Sequence, residues 1–144
     1  MAGSFKEGFD AAIQKRFESS IHLAKQSVIQ SLKRSFNSLL PDPNADNAWK
    51  RESFDVYVTN FAEQLETRLR VYMRRTFPDS KSILMAPLQK KKINRQVIRE
   101  FFPAIEVLAD DLVQMNIIPR RHKDVFRAIT LSASQTFVNL VLES

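Results

Sequence analysis

The chain predicts an all-α fold: an antiparallel four-helix bundle with a long first helix, or a five-helix bundle if a new helix begins at Pro103. Three observations carry this. Apolar residues recur every three or four positions through four stretches, the period of one helix face. Prolines with Asn and Asp mark joins between those stretches. Only two glycines occur, Gly3 and Gly8, so the rest of the chain has none for tight hairpins or phosphate-cradling loops. A length of 144 residues with 44% apolar content fits one domain with a real core.

The first helix is expected over residues 4–40. Phe5, Phe9, Ile13, Phe17, Ile21, Ala24, Val28, Leu32 and Phe36 form its stripe, with Ala12, Leu23 and Ile29 filling in. Most steps are four residues long, more than the 3.6 of a helix turn, so the stripe drifts. Such a helix suits several packing partners better than a two-stranded coiled coil. Ser4 is the expected cap, with Glu7 completing a capping box. Pro41 to Asn47 reads as a loop, with Asp46 or Asn47 capping the next helix.

The second helix is expected over 48–77, with Phe54, Tyr57, Val58, Phe61, Leu65, Leu69, Tyr72 and Phe77 facing the core. Trp49 is expected in the core or as a lid over the loop. Pro78 ends the helix. Residues 78–93 are the least regular, because Pro87 interrupts the apolar run Ile83 to Leu88. That run either folds back onto the end of the bundle or offers Ile83, Leu84, Met85 and Leu88 as a docking segment for a partner.

Asn94 is the expected cap of a third helix over 95–116, with Val97, Ile98, Phe101, Phe102, Ile105, Leu108, Leu112 and Met115 inward. Pro103 either kinks it or opens a new helix. Asn116-Ile117-Ile118-Pro119 is a stop. The fourth helix spans about 120–142, with Val125, Phe126, Ile129, Ala133, Phe137, Leu140 and Val141 inward.

The excess charge is local. Residues 68–99 hold ten Lys or Arg and one acid, Asp79, a balance of +9, while the flanking segments are slightly acidic. All of these bases but Lys81 are candidate contacts: Arg68, Arg70, Arg74 and Arg75 on the second helix, then Lys90, Lys91, Lys92, Arg95 and Arg99. Concentrated like charge repels itself, and an anionic ligand relieves it. Arg suits phosphate because its planar fork reaches two oxygens. Arg120, Arg121 and Lys123 form a smaller cluster, which an up-down-up-down order puts about 30 Å from the first. Its setting between two helices loosely echoes a helix-turn-helix, without a turn glycine.

Signs of catalysis are missing. There is no Walker loop, dinucleotide fingerprint or nucleophile elbow. His22 and His122 have basic neighbours and no His or carboxylate three or four residues after them that would make a metal pair. Asp110 and Asp111 point about 100° apart on a helix. No Cys is present, and no cofactor or metal is expected. No signal peptide or membrane-spanning run is evident, so an intracellular, cytoplasmic or nuclear location is expected. The leading expectation is a non-enzymatic helical bundle that contacts the phosphate backbone of RNA or DNA as an accessory subunit of a nucleoprotein assembly. The alternatives are a protein-interaction or homo-oligomerising module, and a peripheral binder of anionic membranes.

Overall fold

The computed structural model describes residues 2–39 and 47–143, and leaves out the side chains of residues 2–6 and 80. Four long helices form the bundle: α1 (Ala2–Leu39), α2 (Ala48–Thr76), α4 (Lys90–Gln114) and α5 (Lys123–Glu143). A short helix, α3 (Ser80–Met85), and a 3-10 turn (Ala86–Gln89) join α2 to α4. Among the described residues there is no strand. The long helices pack as a closed ring: α1 on α2, α2 on α4, α4 on α5, and α5 back on α1. Successive helices run in opposite directions. Lys33 of α1 meets Asp55 of α2 at one end, while Lys90 of α4 meets Glu143 of α5 at the other.

The core is one cluster drawn from all four long helices. Aromatic rings link them in a column. Phe36 of α1 stacks on Phe54 of α2 at 4.1 Å and 8°, and Phe54 meets Phe126 of α5 edge-on at 6.1 Å. Phe61 of α2 and Phe101 of α4 pack at 5.0 Å. In α5, Thr130 and Ser134 are buried, and each hydroxyl donates to the carbonyl four residues earlier at 2.8 Å. This internal bond satisfies them without a partner from another helix.

α1 is the longest element, 38 residues or about 57 Å. Among the residues whose side chains are described, its buried positions begin only at Ser20 and Ile21. Residues 7–12 have no buried side chain, and Phe9 is 41% exposed. Leu23 is exposed on the outer side, whereas Ile29 is buried as expected. The helix already includes Ala2, so Ser4 lies within it and not at its cap. The predicted loop falls on residues outside the description, except Asn47. That residue holds the cap position of α2 through its backbone carbonyl, which accepts from Arg51 N at 3.0 Å.

Trp49 is not a core residue: it is 51% exposed, with the Lys50 ammonium 5.6 Å from its ring centre. The inward stripe of α2 otherwise holds, and Phe77 closes the helix by donating its N–H to Met73 O at 2.7 Å. Asp79 then caps α3, accepting from Ser82 N at 2.7 Å. Ala86 is buried and Ile83 packs on the core, so the irregular segment folds back across the bundle end.

α4 starts five residues earlier than expected and runs unbroken through Pro103. Pro87 lies in the first turn of the 3-10 segment, where its missing N–H costs nothing, so helical structure continues directly into α4. Asn94 is consequently not a cap. The fifth helix arises at α3, not at Pro103. α4 ends in a Schellman motif: Asn116 is left-handed at φ 59°. Ile117 N donates to Leu112 O at 2.9 Å and Asn116 N to Val113 O at 3.0 Å. Ile117 and Ile118 then plug that end of the core.

On α4 and α5 four residues expected inward are exposed: Phe102, Met115, Val125 and Leu140. Met115 lies past the last turn of α4. Thr130, Ser134 and Val138 take core positions on α5 and rotate its buried arc away from Val125 and Leu140. Arg120–Glu143 is long and apolar enough to cross a membrane by length and composition. Its apolar face is spent on the core, where Phe126, Phe137 and Val138 are buried.

Candidate nucleic-acid interface

The basic stretch divides into three environments. On α2, Arg70 is turned towards α1 and forms a two-pronged ion pair with Glu18, at 2.6 and 2.5 Å. Glu66 lies 3.5 Å from Arg70 and 3.7 Å from Lys25. Those hydrogen bonds hold the Glu18 carboxyl below the ordinary carboxylate range, against a smaller opposing effect of burial, with the charges of Arg70 and Arg74 adding to them. The same bonds push Arg70 further towards its charged form. Arg70 thus serves the α1–α2 contact. Arg68 and Arg75 instead face α4: Arg68 lines a groove with Glu100 and Pro103, and Arg75 lies 3.5 Å from Glu100. The α2 arginines do not share one side.

The second environment is the bundle end. Lys90 is engaged by Glu143 at 2.6 Å. Beside it lies a cavity of about 250 Å³, lined by Ile13 and Phe17 of α1, Met73 of α2, Ile83 of α3 and Val141 of α5. Of the predicted docking segment, Ile83 is turned to the core, whereas Leu84, Met85 and Leu88 are 45%, 51% and 78% exposed.

The third environment is the outer face of α4. Lys91, Lys92, Arg95 and Arg99 are all exposed, and among the described residues no carboxylate forms an ion pair with any of them. At 100° per residue these four bases lie within an arc of about 100°. Lys91, Arg95 and Arg99 repeat at four residues, about 6 Å apart along the axis. The three border a groove of about 920 Å³ between α4 and α5. Its walls are tied together by Asn94, whose Nδ2 donates to Gln135 O at 3.0 Å and to Asn139 Oδ1 at 2.8 Å. On the opposite flank of α4, Tyr72 donates to Gln96 Oε1 at 2.5 Å, so this tyrosine is a core residue with a satisfied hydroxyl.

Arg120, Arg121 and Lys123 stand at the far end of α4, whose 25 residues span about 37 Å, and do not join the first cluster. Lys123 pairs with Asp110, and Arg127 lies 2.9 Å from Glu106. Among the described residues no group of three or more His, Asp or Glu could hold a metal ion.

Two features escaped the sequence reading. Glu18, Glu100 and Glu143 neutralise Arg70, Arg75 and Lys90 from distant parts of the chain, and no local signal marks that. Phe102, expected inward, lies on the exposed face of α4 about one turn past Arg99, at an angle between those of Lys91 and Arg95. Helical spacing alone carried that signal, since position 102 is eleven residues, about three turns, after Lys91. No family model matches the chain, and no curated protein or solved structure does either.

Proposed function

We propose that the protein is a non-enzymatic, phosphate-backbone-binding subunit of a nucleoprotein assembly, and that the outer face of α4 is the contact. The observation that carries this reading is the row Lys91, Lys92, Arg95 and Arg99, exposed and without an acidic partner among the described residues. Elsewhere the cations of residues 68–99 are partly neutralised within the fold, as at Arg70 and Lys90. Four like charges on one face of one helix repel each other, and a line of phosphates offsets that repulsion. Such contacts position a backbone and carry little sequence preference.

The test is fluorescence polarisation with labelled oligonucleotides across a salt series. Four phosphate contacts predict a slope of log K against log salt of about −3.6 on duplex and about −2.8 on single strands. Reversing Lys91, Lys92, Arg95 and Arg99 to Glu abolishes binding while helical ellipticity stays. Lys90 is left in place because its loss strands Glu143. Retained binding in the reversed variant rejects this site.

An accessory role also needs a protein-facing surface. Leu84, Met85 and Leu88, exposed together beside the bundle end, support that half of the reading. Binding to anionic vesicles and not to oligonucleotides would move the basic face to a membrane role.

A further inference from the structure

Resting on the phosphate-binding reading above, we propose that the α4–α5 groove takes single-stranded and not duplex nucleic acid, with an unpaired base lying on the Phe102 ring. Phe102 is 41% exposed and has no ring partner among the described residues, although its neighbour Phe101 packs on Phe61. In angle it falls within the basic arc, between Lys91 and Arg95, and along the axis it lies about one turn past Arg99, at the end of the row. It borders the same groove as those three bases. A solvent-facing aromatic ring amid unpaired cations is the pairing by which single strands are held: cations follow the backbone and the ring takes a base face. In a duplex both faces of each interior base are covered by neighbouring bases, so such a ring finds no partner there.

The other wall completes the site. The Gln135 side chain, which makes no hydrogen bond among the described residues, and Asn139 lie on the α5 wall of the same groove, beside Asn94 and about two turns of α4 from Phe102. Amides of this kind can donate to and accept from base edges. Asn94 holds the two helices together at this level, so the groove is built before the strand arrives and little ordering cost remains.

The experiment compares the full chain with Phe102→Leu and Phe102→Trp. Leu keeps an apolar side chain and removes the ring; Trp keeps a ring. Polarisation is read with a labelled oligothymidylate and with a mixed-sequence duplex of the same length, at low salt. A 2-aminopurine strand reports stacking through its quenched emission. The expected result is tighter binding of the single strand than of the duplex. Phe102→Leu weakens single-strand binding roughly 5- to 100-fold and loses the quenching, Phe102→Trp retains both, and duplex binding is unchanged in either variant. Equal binding of single strand and duplex, with Phe102→Leu altering neither, overturns the groove proposal and leaves the phosphate reading standing. Failure of the wild type to bind either strand at low salt overturns both. Because the side chain is partly exposed, both variants are expected to fold, and ellipticity and melting confirm it. A Phe102→Leu chain that melts early leaves Phe102→Trp and the wild-type strand preference to decide.

Discussion

Glu18 and Arg70 illustrate how a cation leaves a binding surface. Arg70 stands in the most basic part of the chain, yet its guanidinium is used at 2.6 and 2.5 Å by a carboxylate 52 residues earlier. The Glu18 carboxyl is held below its ordinary value of 4.5, chiefly by those hydrogen bonds. Its contribution to stability is therefore fully present above pH 4.5. As pH falls below that, the unfolded chain takes up the proton first, and the contribution fades until the folded carboxyl also protonates. Glu18 remains about half exposed, so solvent screening keeps the value small. Glu18→Gln is expected to cost about 0.2–1 kcal/mol at pH 7. Urea melts at pH 7 and pH 3 check it: the gap between variant and wild type should be smaller at pH 3. A gap of the same size at both would mean that packing, not charge, accounts for the loss. Which arginines are neutralised was illegible in the sequence, because the acids that engage them are distant in the chain.

Elements were more legible than individual positions. Helical periodicity located all four long helices, because long amphipathic stretches repeat the signal many times. Their ends depended on local chemistry of unequal clarity. Asn116 was readable as a stop, since Asn tolerates left-handed backbone. The start of α4 was misread because Pro87 looked like a barrier, yet it falls in a first turn where proline is harmless. Asn94 resembled a cap but ties two helices. The Asn116 assignment can be tested directly. Its side chain is exposed, so substitutions act mainly through φ. Asn116→Gly is expected to be neutral or slightly stabilising, and Asn116→Val to cost about 1–2 kcal/mol. Denaturant midpoints with unchanged m-values check both. A harmless Val would mean that the turn adopts another conformation.

For the whole molecule, the ring Phe54 is the joint. It stacks on Phe36 of α1, meets Phe126 of α5, and is itself fully buried on α2. Phe54→Ala therefore removes contacts among three helices at once and is expected to cost about 3–5 kcal/mol. That is a large part of the total for a chain of this size. A loss near 1 kcal/mol would show that the end of the bundle collapses around the gap. The bundle itself was legible because its evidence is distributed over dozens of positions. The basic face was legible as a segment but not as a surface. Thirty-two residues gave one charge total, while only helix rotation and ring closure decide which of those cations share a side. Phe102 was misplaced for the same reason, as a residue adjacent to a core Phe and yet turned outwards.

The exposed indole of Trp49 governs how unfolding can be watched. It is the only tryptophan in the chain, and half of it already meets water in the native state. Its emission is therefore already shifted towards that of solvated indole before unfolding begins, and it reports on the first turn of α2. Tryptophan fluorescence changes less on loss of the core than a buried indole would, and far-ultraviolet ellipticity or calorimetry is the fuller record of this protein's transitions.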